Sequence, residues 1–177
     1  MSGHNKWAQI KRQKAVTDGK KSKIFSKFVR AIVVEVKKAN GNLDAPGLRT
    51  VITKARAANM PNDNIERAIK KASGDSGAVM ESLTYEAYGP AGVALIIEAL
   101  TDNRNKAVQE IKFILSEHGG ALGERGSAQW AFQKSPEGGW APTVMVPVEG
   151  EDADKLSLLV DALEENDEVQ DVFTNAE

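Results

Sequence analysis

The sequence predicts an α+β protein, with an N-terminal basic three-helix domain followed by a ferredoxin-like β-α-β-β-α-β domain. Three observations predict it. Apolar residues recur on a 3.6-residue period from residue 22 to residue 74. Beyond residue 84 the apolar runs become short and strand-like. Between the two regimes lies "GDSGAVMES", whose glycines and small polar residues suit a connection. The expected limits are 1–74 for the helical domain, 75–84 for the linker and 85–177 for the second domain.

In "SKIFSKFVRAIVVEVKKANG" the residues Phe25, Phe28, Val29, Ile32 and Val36 stand at i, i+3, i+4, i+7 and i+11, one apolar stripe of a helix. Ser22 suits its N-cap, and Gly41 suits the left-handed residue that ends it. Lys37 and Lys38 fall in the last turn, where cations favour the macrodipole. A second helix is predicted from Pro46 to Ala58, with Leu48, Val51, Ile52 and Ala55 inward. A third is opened by Pro61, carries Ile65 and Ile69 four apart, and is closed by Gly74. Residues 1–20 hold few large apolar groups and read as a marginal fourth helix or a mobile arm.

The second domain begins with a short strand, "TYEAY", and a Gly-Pro turn. "VALIIEAL" follows, apolar enough for a central strand. "DNRNKAVQEIKFILSEHGG" is helical, with Ala107, Val108, Ile111, Ile114 and Leu115 inward. "SAQWAFQ" alternates like a strand, "KSPEGGWAP" reads as a loop and "TVMVPV" as another strand. "EDADKLSLLVDALEEN" is an acid-started helix with Leu156, Leu159, Val160 and Leu163 inward, and "VQDVFTN" closes the chain as a strand.

Composition narrows the chemistry. The 177 residues include no cysteine, so disulfides and thiolate chemistry are excluded. Apolar runs such as "VALII" and "AIVV" fall far short of the roughly 18 residues of a membrane span. No secretory signal stands at the N-terminus, and the cytoplasm is the expected location. His4 and His118 fall in different predicted domains with no third ligand in evidence, so no metal site is expected. The glycines of "GGALGERGS" follow a helix rather than open one. They therefore serve turns, not a phosphate loop, and Arg125 decorates such a turn. Asp102, Asn103 and Asn105 lie where a helix needs its cap. The carboxylates of residues 149–171 spread over helix faces as a solvated surface. No enzyme activity, cofactor or small-molecule substrate is expected.

Charge is the sharper signal. The formal net charge is −2, yet residues 1–74 hold 17 Lys or Arg against 5 Asp or Glu, and residues 75–177 hold 6 against 20. Such asymmetry suggests that the first part meets a polyanion; the other account is that the two parts dock on each other. Lys6, Lys11, Arg12, Lys14, Lys20, Lys21, Lys23, Lys27 and Arg30 crowd the first thirty residues. Lys23, Lys27 and Arg30 share a helix flank, Arg67, Lys70 and Lys71 repeat the spacing, and Lys54 and Arg56 add charge nearby. Long cations opposite an apolar stripe suit phosphates, which attract without being read for sequence. Trp7 suits stacking on an unpaired base, or equally a staple holding the arm to the helices.

The blocks "GHNKWAQIKRQKAVTDGKKSKIFSK", "NMPNDNIERAIKK", "YGPAGVALIIEALTDNRNKA" and "GGALGERGSAQWAF" resemble, in order, the signatures of the YebC/PmpR family. That family includes the mitochondrial translational activator of cytochrome c oxidase. The resemblance implies a basic helical N-terminal domain followed by two α+β domains. This chain passes from "AFQKSPEGGW" directly to "APTVMVPVEG", which implies a short form lacking the third domain. Ala91 stands where the family usually has Gly. By resemblance, the expected function is a nucleic-acid-associated regulator of gene expression, with nucleic-acid contact carried over to residues 1–30 and 54–71. The leading form is a ribosome- or ribosomal-RNA-associated translation factor aiding peptide-bond formation at proline-rich stretches. A DNA-binding transcriptional regulator is the alternative, and a protein-interaction module without nucleic acid is the second.

Overall fold

The computed structural model describes residues 18–74 and 79–177, which fall into two compact units divided between Met80 and Glu81. The first is all helix: α1 (Asp18–Lys38), α2 (Pro46–Ala57) and α3 (Asn62–Ser73). Its core is the stripe expected from the period, with Ile32 and Val36 of α1 packed on Leu48, Ala55, Met60, Ile65, Ala68 and Ala72. Helix α1 starts one turn earlier than the expected cap, so Ser22 lies inside the helix rather than at its end. Pro61 caps α3 from outside the helix, and Gly74 leaves it in an extended conformation. Gly41, by contrast, takes the left-handed conformation, and its N–H donates to the Val36 carbonyl.

The second unit holds a four-stranded antiparallel sheet and a separate two-stranded ribbon. Strands β1 (Glu81–Tyr88) and β2 (Ala94–Thr101) pair in register from Glu81 with Thr101 to Tyr88 with Ala94. The first strand is therefore central and reaches back to Glu81, into residues expected to be linker. After β2 comes α4 (Arg104–Glu117), then β3 (Ala121–Leu122), which pairs antiparallel on the far side of β1. That connection is the split β-α-β of a ferredoxin-like sandwich. The ribbon follows, made of β4 (Phe132–Lys134) and β5 (Trp140–Pro142). Helix α5 (Gly150–Glu165) then leads into β6 (Val169–Thr174), antiparallel to β2, which completes the sheet order β3-β1-β2-β6.

Pleating decides which residues meet. Leu95, Ile97 and Ala99 of β2 face α4 and α5, where Ile111, Leu115, Leu156, Leu159 and Leu163 are buried. The alternate residues Ala94 and Ile96 point to the opposite face, among Ala128, Ala131, Phe132 and Trp140. Burial on both faces explains why β2 is a continuous apolar run.

The expected middle strands differ. "SAQWAFQ" forms a 3-10 turn, Gln129–Ala131, before it enters β4. "TVMVPV" is no strand; only Val146 makes a bridge, parallel to Ala176. The expected loop "KSPEGGWAP" instead contains β5 and the turn joining it to β4, closed by Gly138 N–H to Ser135 O and Ser135 N–H to Gly139 O, both 3.0 Å. In that turn Gly139 has φ +79°, and a Cβ there would lie 2.6 Å from the Phe173 ring, so only glycine fits. Asn175, almost fully buried, ties the following segment down: its Oδ1 accepts from Ala94 N–H at 2.8 Å and its Nδ2 donates to Val144 O at 2.9 Å.

Ala91 sits at φ +59° in the turn between β1 and β2, a left-handed conformation that costs a Cβ-bearing residue about 1–2 kcal/mol. It is exposed, with no packing to lose. Ala91→Gly is expected to stabilise the protein by roughly 1 kcal/mol in urea denaturation; a lower midpoint would contradict the strain.

Candidate nucleic-acid interface

Helical spacing brings part of the expected set together. Lys21, Phe25 and Val29 follow at i, i+4 and i+8 along one row of α1, and Ser22 and Ser26 form the row beside it. On α3, Asn64, Arg67, Ala68 and Lys71 stand at i, i+3, i+4 and i+7. The two sets line one open cleft of about 500 Å³, to which Met60 also contributes. Lys21, Arg67 and Lys71 are all exposed along it. Its walls are therefore cationic and its floor apolar.

The other expected cations are distributed around the same unit. Lys20, Lys23, Lys27 and Arg30 are half-buried along α1, and Lys70 is exposed on α3 without lining the cleft. Lys54 and Arg56 occupy the last turn of α2, where Arg56 Nε donates to Asn62 Oδ1 at 3.2 Å and bridges to the start of α3. Arg56 thus has a positioning role at the α2–α3 turn. Lys6, Trp7, Lys11, Arg12 and Lys14 lie outside the described residues. Acidic groups are scarce in this unit; Glu35 reaches Lys38 at 3.0 Å.

The second unit is rich in acidic groups. Four of its six cations are in ion pairs: Arg104 with Glu81, Lys106 with Glu168, Lys134 with Glu98 and Lys155 with Glu151. The Lys106 ammonium is held above its usual range by its hydrogen bond to Glu168, then by the charges of Glu168 and Glu110. Asn103 is the α4 cap, its Oδ1 accepting from Lys106 N–H at 3.1 Å, so "TDNRN" serves capping. Among the described residues, no three His, Asp or Glu are placed to hold a metal ion, and no helix is long and apolar enough to cross a membrane.

One organising residue was missed by reasoning from the sequence. Glu86, near the C-terminal end of β1 and 7% exposed, accepts backbone N–H groups of Gly126, Ala128 (3.0 Å) and Gln129 (2.6 Å). Its own carbonyl accepts from Gly123 N–H at 2.8 Å. The "GERGSAQ" loop is folded around this carboxylate, with exposed Arg125 at its tip. A charged residue at an otherwise buried strand position was the available signal. Next to it, Tyr88 donates its hydroxyl to Ser127 O, which also accepts from Trp130 Nε1 at 2.9 Å.

Comparison with known proteins covers the whole chain. Residues 5–75 match the profile of the TACO1/YebC protein N-terminal domain, and residues 80–138 and 134–176 match that of the TACO1/YebC second and third domain. A protein of Fervidobacterium nodosum named "Probable transcriptional regulatory protein" is 40% identical over 235 residues, covering 99% of this chain and 93% of its own. One of the same name from Petrotoga mobilis is 42% identical over 185 residues, covering 100% and 71%. The crystal structure of a conserved hypothetical protein from Aquifex aeolicus superposes with a TM-score of 0.82 at 33% identity, covering 97% of this chain and 96% of that one. The alignment to the Fervidobacterium protein is at least 58 positions longer than the 177 residues here, so that relative carries residues with no counterpart in this chain. The two stretches of the second profile meet at residues 134–138, in the tight turn between β4 and β5.

Proposed function

Because this chain belongs to the TACO1/YebC family, a family of probable transcriptional regulatory proteins, we propose that it regulates gene expression by binding nucleic acid through its basic helical unit. The observation that carries the reading is the convergence of Lys21, Arg67 and Lys71 on one open cleft, in a segment with 17 Lys or Arg and 5 Asp or Glu. Residues 1–74 thus carry a net excess of twelve positive charges, and phosphate is the chemistry that complements them. The acidic unit would repel the same polyanion and is left for other contacts. No catalytic role is assigned.

RNA on the ribosome is the favoured partner. Three exposed cations, Lys21, Arg67 and Lys71, stand around a cleft between two helices, an arrangement that suits backbone and shape rather than base edges of a duplex. The DNA-binding reading has the names of the relatives in its favour. Isotherms of the full chain on labelled RNA and duplex DNA across a salt series decide between them. Six engaged phosphates predict a slope of log K against log salt of roughly −5 on duplex DNA and roughly −4 on a single strand. Ribosome co-sedimentation at two salt concentrations tests the favoured partner. Absence of binding to either polymer would hand the function to protein interaction alone.

A further inference from the structure

We propose that the cleft between α1 and α3 receives an unpaired nucleobase, with the phosphates on either side of it held by Lys21, Arg67 and Lys71. This rests on the nucleic-acid reading above and goes further, to the strand state that is recognised. A surface that met phosphates alone would need cations and no apolar floor. Here the floor is the half-buried Phe25 and Val29 together with Met60, and the three cations stand at its rim. At about 500 Å³ the cleft lies within the roughly 300–1,000 Å³ of small-ligand sites, large enough for a base and its sugar. A duplex keeps its bases stacked inside and has nothing to place on that floor, whereas a single strand can turn a base outward onto an aromatic ring. Ser26 and Asn64, at the walls, supply hydroxyl and amide groups for the base edge.

The test compares labelled twelve-nucleotide strands on the full-length protein at one moderate salt concentration. One strand carries bases, a second is abasic with the same phosphates, and a third is a blunt duplex; RNA and DNA versions distinguish the sugar. The base-bearing strand is expected to bind at least fivefold more tightly than the abasic one, the lower bound for one stacked base. Ser26→Trp, at an exposed position that fills the cleft, is expected to shrink that ratio towards one, with a thermal melt confirming the fold. Strands containing 4-thiouridine, crosslinked to the unmodified protein and mapped by mass spectrometry, are expected to mark α1 and α3 at the cleft. Equal affinity for base-bearing and abasic strands, or crosslinks confined to other surfaces, overturns the inference and leaves the phosphate reading standing. Failure of every strand to bind overturns that reading itself.

Discussion

Reversing three charges together, Lys21→Glu, Arg67→Glu and Lys71→Glu, is expected to weaken nucleic-acid binding by roughly a hundredfold or more at low salt. The three side chains line one cleft, so a single strand crossing it meets all of them. Each phosphate that is no longer neutralised lowers the salt slope by about 0.7–0.9, and three such phosphates flatten it by roughly 2–3. The replacement carboxylates then add repulsion where there was attraction. Stability should hardly change, because all three positions are exposed and lie off the stripe formed by Ile32, Val36 and Ile65. Lys112→Glu, on the acidic unit, supplies a charge-reversal control and should leave affinity within about twofold. A variant that melts like the unaltered protein and still binds as tightly would remove the cleft from the interface.

Replacing Glu86 by Ala is expected to cost about 3–5 kcal/mol of stability. Its carboxylate takes the backbone N–H groups of Gly126, Ala128 and Gln129, and Ala128 is fully buried, so water cannot substitute as acceptor. Charge-assisted bonds of this kind are worth roughly twice neutral ones. Glu86→Gln keeps one acceptor oxygen and the volume, and about half the loss is expected. Urea denaturation measures the total, and hydrogen exchange at the three amides reports the loop directly. Unchanged protection at those amides in Glu86→Ala would mean that the loop holds itself. The same variant should retain the salt dependence of nucleic-acid binding, since the proposed interface lies on the helices.

The helices and the strand β2 were legible because local spacing decides them. Period and burial coincide in Ile32 and Val36, with Phe25 and Val29 partly buried on the same stripe, and "VALIIEAL" is apolar because both of its faces are covered. "SAQWAFQ" misled for a specific reason. Its alternation suits a strand, but Glu86 captures the N–H groups at 128 and 129, which then cannot enter a ladder, and the backbone winds into a 3-10 turn. "TVMVPV" is split between two partners: Thr143 and Val144 donate to Ala131 O, whereas Val146 donates to Asn175 O and Val148 to Glu177 O, so only its second half pairs with the chain end. At the site, spacing put Arg67, Lys70 and Lys71 on one helix face, and composition singled out Lys21 among the cations of the first thirty residues. Neither showed that two helices set Lys21, Arg67 and Lys71 around one cleft, nor that Arg56 engages Asn62 through its guanidinium.

By itself the sequence determined the order of helices and sheet, the division of charge and the family, because each is written in neighbouring residues or in composition. The tertiary structure alone decided which cations share a cleft, which loop a buried carboxylate holds and how the chain turns at 135–139. The first two of those outcomes depend on groups roughly forty to fifty residues apart in the chain meeting in space. No local period encodes such a meeting; only the packing of the elements fixes it.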